Sequence, residues 1–267
     1  GLFIVTGPKK SGATSTFYAM LRNHDAFLNS INSLERQPSA TLPNITQHTH
    51  SPADAGQTYG ARLQYIVRMG PDVLGVADCE DAETAKVACA AAKDGKIVYV
   101  QLEAASVTQA LAKWLKLVGD KGLVANVLLG VSNQRMVRKL CPECKQAYAP
   151  NQELLRKFNL SAEKTKVLYR EGKVQYDKHG KPVTCDHCQG TGFVGRTGVF
   201  EMVAMNEQLR KIFKQTKSLP EIATQFRRAK MLYLQEQALR KVISGVTSIN
   251  EMIRVLSASK TKKAKPK

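Results

Sequence analysis

Two pairs of cysteines carry the clearest chemical signal in this 267-residue chain. They are Cys141 with Cys144 and Cys185 with Cys188, and in each pair two residues separate the thiols. Each pair can place two thiolates on one metal ion, and two pairs complete the tetrahedron that zinc prefers. Because four sulfur ligands leave no open position for water or substrate, the pattern predicts a structural zinc site. The alternative is four ordinary reduced thiols.

A second signal, near the start of the chain, is the outline of a phosphate-binding loop. The segment reads Gly7-Pro8-Lys9-Lys10-Ser11-Gly12-Ala13-Thr14. In such a loop, successive backbone N–H groups and a helix N-terminus face a phosphate, and a lysine reaches the phosphate oxygens. The predicted nucleotide-binding residues are therefore Gly7, Ser11, Gly12, Ala13 and Thr14, with Thr14 able to reach a magnesium ion. Ala13, however, stands where the lysine is expected and carries no charge.

The charge of the chain is strongly basic, with a formal net value of +18. Through Arg135 there are 13 Lys and Arg against 11 Asp and Glu, which leaves 27 of the 40 basic and 11 of the 22 acidic residues for the rest. Such a surface suits anionic partners, namely phospholipid headgroups, nucleic acid or acidic protein faces. A solvated basic surface with no dedicated partner explains the charge equally well.

Composition and the opening residues bound the class of protein. The hydrophobic fraction of 43% is that of a globular protein, and no apolar run approaches the roughly 20 residues that span a bilayer. Gly1–Thr6 predicts a core strand and not a signal peptide, and its abrupt start leads us to expect an excerpt from a longer polypeptide. Cys79 and Cys89 lie in or beside apolar stretches, so we expect buried, reduced thiols in a cytosolic compartment.

The elements that must position these residues alternate between short apolar runs and helical patterns, which is typical of an α/β domain with a mainly parallel sheet. The predicted strands are Leu2–Val5, Phe27–Ile31, Asp72–Val76 and Ile97–Val100. The predicted helices are Thr14–Leu21, Ala61–Met69, Ala82–Ala92 and one that Ser106 caps and that runs to Val118. Further along, we predict a partly helical Leu123–Leu140, a compact β turn-back at Gly190–Met202, and helical spacing from Asn206 to Leu256.

Two long strings give the chain its most specific likeness. They are VLLGVSNQRMVRKLCPEC at residues 127–144 and GRTGVFE at residues 195–201, and residues 72–81 and 83–85 add weight. With these strings the chain resembles the type II secretion and type IV pilus assembly ATPases, the GspE/PulE/PilB family, from Gly1 to about Leu256. The resemblance implies a RecA-like P-loop NTPase core with a four-cysteine zinc-binding insertion and a C-terminal helical subdomain.

The division of the chain that follows from this resemblance has four parts. Residues 1–140 form the RecA-like nucleotide-binding-type domain, 141–203 the zinc-binding insertion with the β turn-back, and 204–256 the helical subdomain. The lysine-rich residues 257–267 are predicted to be a disordered basic tail. The resemblance further implies ATP and magnesium as ligands, a hexameric ring, an inner-membrane platform protein as partner, and a cytoplasmic location peripheral to the inner membrane.

The chain departs from the family pattern at several positions of the nucleotide site. Besides Ala13, Lys10 stands where the family has glycine. A Gly-Glu pair of the family is Ala77-Asp78 here, so Asp78 keeps the charge on a shorter arm. Glu80 replaces an arginine and reverses the charge beside the phosphates.

Other catalytic segments of the family are also altered. The segment that resembles Glu-Asp-Pro-Val-Glu reads ERQPS at residues 35–39, so Glu35 survives as a candidate general base while two carboxylates are lost. The family's Leu-His-Thr-Asn segment reads LEAA at residues 102–105. Arg68 survives among the arginines that precede the strand ending at Val76. The candidate catalytic residues are therefore Asp78, Glu35 and Arg68.

These losses bear directly on activity, because phosphoryl transfer depends on positioning and on neutralising developing charge. They predict a catalytically degenerate family member that acts as a structural or regulatory subunit in a homo- or hetero-oligomeric ring. Two alternatives stay open. A divergent but active ATPase would use Lys9 or Lys10 with the surviving carboxylates. A zinc-dependent nucleic-acid-binding module would use Phe193 beside Arg196, although aromatic residues make up only 6% of the chain, which offers little stacking surface.

Overall fold

The computed structural model describes residues 1–51, 56–163, 165–172, 175–176, 178–216 and 218–257. The strands are β1 (Leu2–Gly7), β2 (Ile31–Glu35), β3 (Thr46–Thr49), β4 (Val73–Val76), β5 (Ile97–Glu103), β6 (Leu128–Leu140), β7 (Gln146–Tyr148), β8 (Leu168–Arg170), β9 (Gln175–Tyr176), β10 (Pro182–Val183) and β11 (Phe193–Ala204). A seven-stranded sheet has the order β11-β6-β1-β5-β4-β2-β3. Its pairings from β6 across to β3 are all parallel. With helices between the strands, this confirms the α/β class.

The helices are α1 (Ala13–Arg22), α2 (Tyr59–Arg68), α3 (Ala82–Lys93), α4 (Val107–Val118), α5 (Lys121–Val127), α6 (Gln152–Lys157), α7 (Glu207–Gln215), α8 (Leu219–Arg228), α9 (Leu234–Ile243) and α10 (Ile249–Ser257). Short polar side chains fix several helix starts by accepting a hydrogen bond from a first-turn backbone N–H. Thr58 caps α2, Asp81 caps α3, and Ser106 caps α4 as its sequence position predicts.

The first helix starts at the carboxyl end of β1 and packs across the sheet onto β4. Five of the six residues of β1, and all four residues of β4, are buried. Phe17 and Leu21 of α1 pack so closely on Gly75 of β4 that a Cβ there would lie 2.8 Å from the Phe17 ring. Because parallel strands end at one edge, the segments that follow β1, β4 and β5 meet there.

Two compact units divide the chain, and each has its own core. The first comprises Gly1–Gln134 and Phe200–Leu232, and the second Arg135–Val199 and Tyr233–Lys267. The division falls inside β6 and β11, and α7 and α8 belong to the first unit while α9 and α10 belong to the second. The second unit packs around a cluster of Val137, Leu168, Val199, Ala238, Val242, Ile249, Met252 and Val255.

A charged group anchors α10 inside the second unit. Glu251 is 1% exposed, and its carboxylate accepts hydrogen bonds from the guanidinium groups of Arg138 and Arg254. The Arg138 backbone N–H also donates to Glu251 Oε1 at 3.0 Å. Burial alone would raise the pKa of Glu251, but the two arginines outweigh it and lower that pKa to about 2.

Two of the predicted elements are wrong, the strand at Phe27–Ile31 and the turn-back at Gly190–Met202. The strand predicted at Phe27–Ile31 begins only at Ile31, because Asp25 accepts a hydrogen bond from the Phe27 backbone N–H and from the Asn29 side chain. These bonds make a turn that leaves Phe27 92% and Leu28 81% exposed.

The two long strands lie in segments whose strand conformation the sequence did not fully indicate. Leu123–Leu140 is helical in part, as predicted: α5 ends at Val127, and the remainder forms β6, which pairs in parallel with β1. Residues 193–204 form the continuous strand β11 and not a compact turn-back, with Gly195 at φ +68°. Pairing within the sheet therefore overrides the local pattern in both segments.

The four-part division into 1–140, 141–203, 204–256 and 257–267 stays a prediction. Of the predicted basic tail, only Ser257 is described, and it ends α10. Across the described ranges, no helix combines the length and the apolar character that crossing a lipid bilayer requires.

Candidate nucleotide and metal sites

The loop between β1 and α1 has a turn at its tip. The Ser11 backbone N–H donates to the Pro8 carbonyl at 3.1 Å, which leaves Lys9 and Lys10 at the two central turn positions. Lys10 has φ +65°, a conformation that favours glycine. Gly12 follows at φ +83°, and none of the described side chains caps the helix that starts at Ala13.

The base of the loop is held by close contacts. A Cβ on Gly7 would lie 2.1 Å from Ser11 Oγ, so only glycine fits there without movement. Gln134, in β6, donates from Nε2 to the Ser11 carbonyl at 3.1 Å. Ser11 is 3% exposed, and its hydroxyl oxygen has no hydrogen-bond partner within the described part of the chain.

A cavity of about 620 Å³ lies against this loop. All five predicted nucleotide-binding residues and Asp78 line it. The full lining is residues 7–15, Tyr18, Ser39, Ala40, Asp78, Cys79, Glu80, Gln101, Leu102, Glu103 and Lys113. The structure therefore brings the loop together with the ends of β4 and β5, as the parallel sheet requires.

The groups that would hold a metal-bound phosphate in the cavity already have protein partners. Thr14 Oγ1 accepts a hydrogen bond from Gln101 Nε2 at 3.0 Å. Asp78, at φ +51°, accepts at Oδ2 from the Arg36 backbone N–H at 3.3 Å. Ala13, in the first turn of α1, presents only a methyl group toward the cavity.

Glu35, the candidate general base, is buried at the end of β2 and is 2% exposed. Its Oε2 accepts from the Tyr18 hydroxyl at 2.6 Å, and its Oε1 accepts from Ser33 Oγ at 3.0 Å and from Gln47 Nε2 at 3.1 Å. Burial and then the bond to Glu35 raise the pKa of Tyr18, so this phenol stays a donor. The carboxylate is thus bound into a network behind the cavity wall.

Tyr18 also connects that network to the cavity. Its hydroxyl accepts a hydrogen bond from the Ser39 backbone N–H at 2.8 Å, and both residues line the cavity. Arg68, the third candidate catalytic residue, is exposed at the C-terminal end of α2 and lies outside the cavity lining. The structure therefore places Asp78 in the cavity and the other two candidates elsewhere.

The four cysteines of the second unit form a compact group. Their Sγ atoms all lie within 4.8 Å of one another, with Cys141 and Cys185 at 3.9 Å and Cys144 and Cys188 at 3.6 Å. Tetrahedral zinc with bonds of about 2.3 Å would place its sulfur ligands about 3.8 Å apart. The spacing and the donor set therefore fit a single tetrahedral metal ion.

A tight glycine turn supports this cysteine group. The Gly192 backbone N–H donates to Cys188 Sγ at 3.3 Å, and the Gly192 carbonyl accepts from the Cys141 backbone N–H at 2.9 Å. Burial opposes ionisation of Cys188, but the Gly192 hydrogen bond and the neighbouring thiols outweigh it and lower the pKa of this thiol to about 7. Gly192 has φ +73°, so this bridge depends on glycine.

Sequence reasoning missed Tyr18, Gln101 and Lys113 as parts of the site. Lys113 is half-buried on α4 and lines the same cavity as Ala13, although 100 residues separate the two positions. Only the parallel pairing of β1 with β5 brings α4 beside the loop. No local spacing in the sequence could have indicated this proximity.

Comparison with known proteins begins with a family model. The model described as "Type II/IV secretion system protein" matches residues 1–254. The type IV pilus assembly ATPase PilB of Thermus thermophilus is 30% identical over 253 residues, which are 95% of this chain and 27% of that protein. Type II secretion system protein E of Dickeya dadantii is 32% identical over 255 residues, covering 96% and 48%. The chain thus spans less than half the length of these relatives.

Solved structures with the same fold include a pilus retraction motor and an ATPase. The pilus retraction motor PilT with bound ADP has a TM-score of 0.65 at 15% identity, over 95% of this chain and 60% of that one. The ATPase DotB of Legionella pneumophila has a TM-score of 0.65 at 14% identity, over 94% and 58%. At these identities the likeness establishes the fold alone.

Proposed function

The chain belongs to the type II/IV secretion system protein family, and from that premise we propose that it is a subunit of a secretion or pilus assembly machine that has lost ATP hydrolysis. Its role is structural or regulatory within the assembly. The observation that carries this proposal is Ala13, which stands in the first turn of α1 against a preserved loop and cavity. The lysine that would neutralise phosphate charge from this position is missing.

The geometry of the carboxylates supports the loss of hydrolysis. A general base must reach the proton of the attacking water with a free lone pair. Glu35 instead accepts three hydrogen bonds from the protein and lies outside the cavity lining. Asp78 reaches the cavity, but it binds the Arg36 backbone N–H on a side chain shorter than glutamate.

The charged residues of the cavity also support the loss of hydrolysis. Glu80 and Glu103 line it, and both carry negative charge where the resembling family has arginine and histidine. Phosphoryl transfer gains most of its acceleration from groups that neutralise developing negative charge. Two added carboxylates oppose that neutralisation. The substitutions therefore change the charge of the cavity as a whole, in addition to removing the single lysine.

Membership of the family also suggests the core fold of the subunit and the way it assembles. A parallel sheet with the phosphate-loop outline between β1 and α1 supports a RecA-like P-loop NTPase core. We propose that the subunit assembles into a hexameric ring, alone or with an active paralogue, and docks on an inner-membrane platform protein from the cytoplasmic side. Closed rings form when one heterologous interface repeats around an axis, so an inactive subunit can complete its neighbour's site.

The metal in the cysteine group is proposed to be zinc, with a structural role. Four thiolates at tetrahedral spacing match the preference of zinc and leave no position for substrate. When bound, zinc would supply a cross-link between the two cysteine pairs, which lie 44 residues apart in sequence. The surrounding residues orient the thiolates, with the Gly192 N–H at Cys188 as the clearest example.

A second candidate function is a divergent but active ATPase. It is favoured by one observation: Thr14, Asp78, Lys9 and Lys10 all line the same cavity. On this alternative, a loop lysine would replace the missing cation and Asp78 would hold magnesium or position water. The two proposals make opposite statements about turnover.

Steady-state phosphate release from Mg-ATP by the full chain, with and without Asp78→Ala, decides between them. We expect release at the level of a protein-free control for both forms. Magnesium-dependent release that Asp78→Ala abolishes would contradict the loss of hydrolysis and support the active ATPase. Release that Asp78→Ala leaves unchanged identifies a contaminating enzyme, which repeated purification must remove before the comparison is made.

A further inference from the structure

We propose that the α9–α10 turn, residues 244–248, is held in place by the metal-bound form of the cysteine group, and that Lys145 is the positioning residue that connects the two. The inference rests on the proposed metal binding and goes beyond it, because it names a second segment whose order depends on the metal. Lys145 directly follows Cys144, whereas Gly245 of the turn lies 100 positions further along the chain. The consequence is a C-terminal pair of helices whose connection loosens when the metal leaves.

The α9–α10 turn ends α9 with an arrangement that favours glycine. Gly245 has φ +69°, and its backbone N–H donates to the Val242 carbonyl at 3.0 Å. The Val246 backbone N–H donates to the Lys241 carbonyl at 2.9 Å, which closes the end of the helix. The carbonyl oxygens of Gly245 and Val246 accept hydrogen bonds from a different segment, the one that contains the first cysteine pair.

Both flanks of the first cysteine pair are bound to this turn. On one side, the Leu140 backbone N–H donates to the Val246 carbonyl at 2.9 Å. On the other side, Lys145 Nζ donates to the Gly245 carbonyl at 3.4 Å. The Lys145 backbone N–H also donates to the Cys141 carbonyl at 3.1 Å, so the chain folds back within the pair and brings the two flanks together. The conformation of the pair therefore determines whether both carbonyls of the turn are bound.

An aromatic ring fixes the Lys145 side chain between the two segments. Lys145 Nζ lies 4.8 Å from the centre of the Tyr169 ring, a distance at which a cation and a ring attract each other. The same ring packs against Gly245, where a Cβ would lie 2.7 Å from a ring carbon. Tyr169 belongs to β8, which pairs with β7, and β7 begins directly after Lys145. The half-buried Lys145 thus has one defined position, over the ring and bound to the turn.

The metal matters to this position because the thiols hold one another only weakly. The sulfur atoms of Cys141 and Cys185 are 3.9 Å apart and those of Cys144 and Cys188 are 3.6 Å apart, and thiols are weak hydrogen-bond donors and acceptors. A metal ion held by all four thiolates would fix Cys144 relative to Cys141. Without the metal, Cys144 loses that attachment. We therefore expect the contacts of Lys145 with the ring and the turn to form less often.

Hydrogen exchange of the full chain, measured by mass spectrometry on peptides that cover residues 234–257, tests the inference. In native protein, we expect removal of zinc by a chelator to speed the exchange of the turn amides by at least about tenfold, because their hydrogen bonds open more often. In Lys145→Gln at saturating zinc, the same amides should exchange about tenfold faster while the cysteine group keeps its metal. Lys145→Arg keeps a cation for the Tyr169 ring and a donor for the Gly245 carbonyl, so it should restore most of the protection.

Lys157→Gln is the matched control. Lys157 is an exposed lysine of the same unit, and its Nζ lies 5.9 Å from the centre of the Phe158 ring. In the part of the chain that the structure describes, it makes no hydrogen bond to residues 244–248, so its removal should leave the exchange of the turn unchanged. Because coupling between two sites is reciprocal, Lys145→Gln should also weaken zinc binding about tenfold in competition with a chelator, and Lys157→Gln should not.

The outcomes separate this inference from the proposed metal binding. Turn amides that exchange equally in zinc-loaded and zinc-free native protein overturn the inference and leave the metal site standing. Equal exchange of native protein and Lys145→Gln, with zinc bound to both, overturns the role of Lys145. A native protein that binds no zinc overturns the metal site and the inference together. If chelation unfolds the whole second unit, the zinc-loaded Lys145→Gln and Lys145→Arg variants still decide, because both retain the four thiols.

Discussion

Glu35 keeps the residue type expected of a general base, but its carboxylate is bound by Tyr18, Ser33 and Gln47. Ser33 lies two residues before Glu35 in β2, but Tyr18 and Gln47 belong to other elements, so no spacing in the sequence could indicate those two donors. Ala13 was readable from the sequence because its position within the loop is fixed by neighbouring residues. Residue identity alone thus predicts one missing group, but it could not show that a retained group is engaged elsewhere.

The Tyr18 hydroxyl is predicted to stabilise the fold. Tyr18→Phe removes the donor to Glu35 and the acceptor of the Ser39 N–H, so we expect a loss of about 1–2 kcal/mol in the free energy of unfolding. Urea denaturation measures it. Tyr65→Phe is the matched control, because that ring is 53% exposed on α2, and it should change stability by less than about 0.5 kcal/mol. Equal effects of the two changes would contradict the network.

Glu251 gives a prediction of pH dependence. Its pKa is held at about 2, below the ordinary value of 4.5, so its contribution to stability is full above pH 4.5 and is lost as the pH falls toward 2. Glu251→Gln should lower the free energy of unfolding by about 3 kcal/mol at neutral pH, because two arginines lose their buried partner. Urea denaturation at several pH values should show this difference shrinking below pH 4.5. A difference that stays constant down to pH 2, or an equal loss for the exposed Glu236→Gln, would contradict the assignment.

Among the elements, the alternation of apolar runs and helical patterns was sufficient to predict the α/β class and the first four helices, α1 to α4. Local capping explains this success, since the side chains that start α2, α3 and α4 are visible in the sequence. β6 was not predictable in the same way. Its strand conformation depends on pairing with β1, which begins 126 positions earlier, as Leu2 lies opposite Leu128.

In the loop turn, substitution by glycine should have opposite effects on stability at the neighbouring positions Lys9 and Lys10. Lys10 has φ +65°, so Lys10→Gly should remove steric strain and raise the free energy of unfolding by about 1 kcal/mol. Lys9 lies outside the left-handed region, so Lys9→Gly should lower stability by roughly 0.5–1 kcal/mol through the greater entropy of the unfolded chain. Thermal or urea unfolding of the Lys9→Gly and Lys10→Gly variants measures whether each change raises or lowers the free energy of unfolding. A stabilising Lys9→Gly or a destabilising Lys10→Gly would contradict the turn geometry.

The cysteine group is an element-scale feature because it joins the residues after β6 to those before β11. Replacing Cys185 with serine should reduce bound zinc from about one ion per chain to none and should destabilise the protein. Metal analysis after dialysis measures the content. Cys89→Ala is the control, since this buried thiol lies outside the group, and it should retain zinc. Retention of zinc by the Cys185 variant would show that the four thiols do not act as one site.

For the whole molecule, the sequence was sufficient to identify the family and the two chemical centres, because both depend on strings of neighbouring residues. It was not sufficient to show how the centres are supported, since Gln134 binds the Ser11 carbonyl, and Lys113 lines the cavity, only as a result of the fold. At this scale the protein is a member of the type II/IV secretion system protein family whose cavity has altered charges. We propose that it does not cleave ATP.

The most direct measurement is a single-turnover experiment in which the full, zinc-loaded chain is in excess over radiolabelled Mg-ATP. It is carried out with dilute protein and again at protein concentrations that favour oligomers. Excess protein makes even one slow cleavage per site visible. We expect labelled ATP to stay intact for hours with native protein and with Asp78→Ala. Cleavage by native protein that depends on magnesium and disappears in Asp78→Ala would contradict the proposed loss of hydrolysis.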